Sequence, residues 1–129
     1  AQIATVRQAL AIVQSPEGAA RRERLMANVC LLREHIRARG MEVYGDPSAI
    51  VAVRTGDEAL ARLAAREMPG LGLLANLVEY PAVAKGRARF RLQVMADHRE
   101  AEIEAAADRM QMAMSRARDH LETARAVAG

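Results

Sequence analysis

The chain has 129 residues, 51% of them hydrophobic, enough to bury one core and too apolar for a disordered segment. One Phe, two Tyr and no Trp leave no aromatic platform for stacking bases, and a single cysteine, Cys30, excludes an internal disulfide. The formal charge of +3 comes from 19 basic and 16 acidic residues interspersed three or four apart, as on solvated helix surfaces, so neither a nucleic-acid partner nor a membrane span is expected.

Residues 1–14 carry Ile3, Val6, Leu10 and Val13 at helical spacing. Ser15-Pro16-Glu17 then supplies an N-cap, a first-turn proline and a first-turn acid. The second helix they open buries Leu25, Val29, Leu32 and Ile36, runs to about Arg39 and stops at Gly40. Cys30, beside that stripe, is expected to be a packed free thiol. No Cys/His cluster has metal-ligand spacing. After Gly40 the period becomes that of strands, over 41–44 and, past a Gly-Asp-Pro-Ser turn, 49–53. Asp57 can cap a third helix with Leu60, Leu63 and Ala64 inward, ending near Pro69-Gly70. Strands over 72–78 and 88–95 follow, and a long helix over 99–126 places Ile103, Ala107, Met110, Met114, Ala117 and Leu121 on one face. Met110 and Met114 fall within that apolar stripe, so they read as core rather than as a partner groove.

The order ααββαββα predicts an α+β fold, a small, mainly antiparallel sheet with helices packed on one face. On the last strand Ala88, Phe90, Leu92 and Val94 alternate with Arg89, Arg91, Gln93 and Met95. The first set faces the helices. The second presents two guanidinium forks and an amide, a set suited to binding a carboxylate or phosphate, although plain solvent exposure gives the same pattern.

The stretch YPAVAKGRARFRLQVMADHREAEIEAA, residues 80–107, resembles the end of the α-oxoamine synthases, where a P-x-V-P-x-G-x-A-R-[hydrophobic]-R run precedes an Ala-Ala-His step into the last helix. SPEGAARRERLMANVCLLREHIRARGMEVYG and SAIVAVRTGDEALARLA are similar to that family's long helix and strand-helix unit, so the resemblance covers nearly the whole chain in order. Ala84 stands where the family has its second proline, and Ala96-Asp97 where it has two alanines; Asp97 is a candidate cap for the last helix.

What the resemblance implies is the C-terminal domain of a fold-type-I pyridoxal 5'-phosphate enzyme, an acyl-CoA:amino acid acyltransferase expected to be a cytoplasmic homodimer. Residues 1–40 would be a helical lead-in from a preceding large domain and 41–129 the small domain, an expectation in keeping with a first residue that is not Met. Arg91 takes the position of the arginine that grips the substrate's α-carboxylate. Arg89 is expected to form a structural ion pair, and His98 to be a hydrogen-bonded structural histidine. The only lysine, Lys85, lies in a turn and does not match a Schiff-base residue, so the chain alone is expected to bind no cofactor and to be inactive. The other reading of the residues, a stand-alone anion- or protein-binding module, stays open at this point.

Overall fold

The computed structural model describes residues 1–129. Helices α1 (Gln2–Gln14) and α2 (Pro16–Ala38) meet at Ser15, whose Oγ accepts the Gly18 N–H at 3.2 Å and so caps α2. Position 18 must be glycine, because a Cβ there would collide with the carbonyls of Ile12 and Val13. No residue of α1 is buried, and its apolar stripe of Ile3, Val6, Leu10 and Val13 lies bare.

Strands β1 (Val43–Tyr44), β2 (Ile50–Gly56), β3 (Asn76–Val78) and β4 (Ala88–Gln93) form one antiparallel sheet in the order β1-β2-β4-β3. Helix α3 (Glu58–Glu67) joins β2 to a 3-10 turn at Pro69–Leu71, and α4 (Glu100–Ala128) closes the chain against α2 and α3. Asp57 caps α3 by accepting the Leu60 N–H at 2.8 Å.

The core lies between the sheet and the helices. Val51, Val53, Phe90, Leu92 and Val94 meet Val29, Leu32 and Ile36 of α2, Ala64 of α3, and Ile103, Ala107, Met110 and Met114 of α4. The methionines are therefore core, as their spacing predicts. Arg33 is also buried; its guanidinium donates to the carbonyls of Tyr44 (3.3 Å) and Gly45 (2.6 Å) and so ties α2 to the end of β1.

Several details differ from the sequence reading. The strand expected over 72–78 begins only at Asn76, because Gly72 takes a left-handed conformation (φ 75°) after the 3-10 turn and Leu73 dives into the core. Cys30 is exposed rather than packed, since α2 buries Val29, Leu32, Arg33 and Ile36, and a residue next to Val29 points about 100° away from it. Asp97 does not cap α4. That helix is capped at Arg99, whose N–H and guanidinium both donate to Glu102 (2.8 and 3.0 Å), while Asp97 lies 3.7 Å from Arg21. No helix is long and apolar enough to cross a membrane.

Candidate carboxylate-binding face

The far side of the sheet is built by alternation. Tyr44, Ala52, Arg91 and Asn76 form one cross-strand row, and Arg54, Arg89 and Val78 the next. Arg54 and Arg89 stand directly opposite one another, a pairing of like charges that destabilises a sheet unless each finds another partner. Both do. Arg54 donates to Glu42 at 2.8 Å, and this carboxylate holds the Arg54 guanidinium above its ordinary pKa. Arg89 reaches across β2 past the small Ala52 and lays its guanidinium over the Tyr44 ring, 4.4 Å from the centroid, while its Nε donates to the Arg87 carbonyl at 3.3 Å. The structural ion pair expected of Arg89 is therefore absent; an aromatic face takes its place.

Arg91 differs from both. It is exposed and its side chain makes no hydrogen bond or ion pair within the chain, although its backbone is held on both sides, by Ala52 of β2 and Asn76 of β3. Beside it lies a cleft of about 590 Å³, open where β3 stops, with Leu32, Leu92 and Ile103 on its apolar side and Gln93, His98 and Arg109 among its polar groups. The result is a rigidly based, always charged fork facing solvent at the rim of a cleft, able to take a carboxylate through two parallel N–H donors.

His98 is hydrogen-bonded as expected, its Nδ1 accepting the Met95 N–H at 3.2 Å. Asn28 reaches the same segment from α2: its Nδ2 donates to the carbonyls of Met95 (3.0 Å) and His98 (2.9 Å). Sequence reasoning missed Asn28, Tyr44 and Arg33, whose contacts need the register and the tertiary fold. Asn28 and Arg33 sit among the many polar residues of α2, so no local signal marks them. Lys85 is outside the cleft, its Nζ 5.2 Å from the centroid of the exposed Tyr80 ring. No group of three His, Cys, Asp or Glu side chains could hold a metal ion.

Residues 1–110 match the family described as aminotransferase class I and II. The chain is 40% identical over 91 residues to the 2-amino-3-ketobutyrate coenzyme A ligase of Salmonella typhimurium, covering 70% of this chain and 23% of that protein. It is 33% identical over 99 residues to the 8-amino-7-oxononanoate synthase of Citrifermentans bemidjiense, covering 77% of this chain and 25% of that one. Among solved structures, a serine palmitoyltransferase from S. paucimobilis superposes on 78% of this chain and 26% of its own with a TM-score of 0.70 at 28% identity. The chain thus spans about a quarter of the length of the curated relatives it matches. Matched by the family over residues 1–110 of 129, and similar in sequence and fold to these acyltransferases, it belongs to the aminotransferase class I and II family, among the α-oxoamine synthases.

Proposed function

We propose that this chain is the small-domain portion of a pyridoxal-phosphate-dependent acyl-CoA:amino acid C-acyltransferase, in which Arg91 grips the α-carboxylate of the amino-acid substrate. The observation that carries this reading is the free guanidinium. Of the three arginines on the open sheet face, Arg54 and Arg89 are satisfied within the chain, whereas Arg91 has a fixed backbone, no partner and a cleft beside it. A carboxylate held by two donors cannot swing, so the substrate's Cα is presented in one orientation. Arg91 positions only, because a guanidinium stays charged and passes no proton.

No lysine of this chain is placed to carry the cofactor as a Schiff base. The one amine that could carry it, Lys85, is exposed in a loop against Tyr80 and outside the Arg91 cleft. Cofactor-holding groups would come from the three quarters of the relatives' length that this chain does not span, and the chain alone would be inactive. A cytoplasmic homodimer using amino-acid and acyl-CoA substrates belongs to the same reading. So does the division into a helical lead-in, residues 1–40, whose α2 also closes the core, and a small domain, 41–129.

The test is steady-state kinetics and amino-acid titration of the full-length protein. Arg91→Ala should weaken amino-acid use by about 2–5 kcal/mol while cofactor retention is unchanged. Arg91→Lys should recover little, since an ammonium lacks the planar fork. Arg89→Ala removes the same charge from the same face and serves as the control. Equal impairment of both alanine variants would assign the effect to general electrostatics, and a wild-type Arg91→Ala would refute the carboxylate role.

A further inference from the structure

β4 loses one neighbour before it ends. β3 pairs with it only as far as Asn76↔Arg91, whereas β2 continues through Ile50↔Gln93 and the Val94 N–H bond to the Ala49 carbonyl (2.9 Å). Backbone groups of successive strand residues point to alternate sides, so those of Met95 point away from β2, toward the side with no strand. Both are nevertheless taken. The Met95 N–H donates to His98 Nδ1 (3.2 Å), and its carbonyl accepts from Asn28 Nδ2 (3.0 Å), which also holds the His98 carbonyl (2.9 Å). Two side chains thus do for Met95 what a longer β3 would do, and they leave the cleft beside Arg91 open.

The Met95 N–H can only donate, so Nδ1 of His98 must be the acceptor and the ring's single proton sits on Nε2. Nε2 has no partner in the chain, and the ring lines the same cleft as Arg91. We propose that Asn28 and His98 form a clasp that positions Arg91, and that the clasp opens when His98 takes a second proton. This rests on the reading of Arg91 as a carboxylate clamp. With hydrogens on both nitrogens, the ring would set Nδ1–H against the Met95 N–H, donor against donor. The end of β4 would then lose one of its two holds on the open side, the bond from the Met95 N–H, four residues beyond Arg91.

The charged groups around His98 are Arg91 of β4 and Arg109 of α4, which line the cleft with it, Glu102 of α4, which is bonded to Arg99, and Asp97, 3.7 Å from Arg21 of α2. His98 and Asn28 are positioning residues, since neither is required to touch the substrate.

The experiment is NMR of the ¹⁵N-labelled chain titrated with formate at stepped pH, with chloride as the ionic-strength control, following the Arg91 Nε–H, the Met95 amide and the His98 ring. Met95 amide protection and formate affinity at Arg91 should both fall, by about tenfold, with the midpoint of the His98 ring titration. His98→Asn, whose Oδ1 can still accept the Met95 N–H, should keep both at neutral pH and abolish the pH dependence. Asn28→Ala should weaken formate binding throughout. Affinity that rises as His98 protonates, or a His98→Asn profile like wild type, would overturn the proposal. If wild type binds no formate at any pH, the Arg91 reading fails separately. The clasp is then judged by the Met95 amide together with the backbone order of Arg91: loss of both at the His98 midpoint supports it, and persistence of either refutes it.

Discussion

Along β4 the side chains alternate between a face where Ala88, Phe90 and Leu92 are sealed beneath the helices and a face where Arg89, Arg91 and Gln93 meet solvent. On the sealed face packing dictates residue type, since every site is bounded by other side chains. On the open face packing requires nothing of Arg91, and no hydrogen bond or ion pair of its side chain within the chain fixes its residue type. Arg89 stands between these cases: it is half-buried and held, but by one aromatic ring.

This contrast can be broken by mutation, starting with its largest consequence. Phe90→Ala removes the bulkiest fully buried side chain and should destabilise the fold by about 3–5 kcal/mol in urea unfolding. A loss below about 1 kcal/mol would mean that the two faces are less different than their burial says. Next, Arg89→Ala and Tyr44→Leu should each cost about 0.5–1 kcal/mol, and a double-mutant cycle should show that they report one shared interaction. Additivity would dissolve the stack. Smallest of all, Arg91→Ala should change unfolding stability by no more than about 0.5 kcal/mol, because it removes no hydrogen bond or ion pair within the chain. Taken with the loss of substrate use expected of the same variant, this separates a functional residue from a structural one.

Much of this was legible in the sequence, wherever the signal is local. The alternation of 88–94, the caps at Ser15 and Asp57 and the stripe of α4 all follow from side-chain periodicity and short-range hydrogen bonding, which neighbouring residues determine. What was not legible depends on distant partners. Arg89 was expected to need an acid, because its aromatic neighbour appears only once β1, β2 and β4 are in register. Asn28 is one polar residue on α2 until the fold brings the Met95 and His98 carbonyls to it from 67 and 70 residues away. The truncation of β3 depends on the core's capture of Leu73, and the exposure of Cys30 on which flank of α2 the core takes; neither is fixed by composition.

The shortness of the outer strands has one more consequence. An open sheet face bordered by long, flat edges would invite strands of other molecules to add on, the route by which β-proteins aggregate. Here β1 offers two residues and β3 three. Edges that short give an intruding strand too few hydrogen bonds to register against, while the long strands β2 and β4 lie paired in the middle. The sheet can therefore leave one face free of helices without becoming a template for polymerisation.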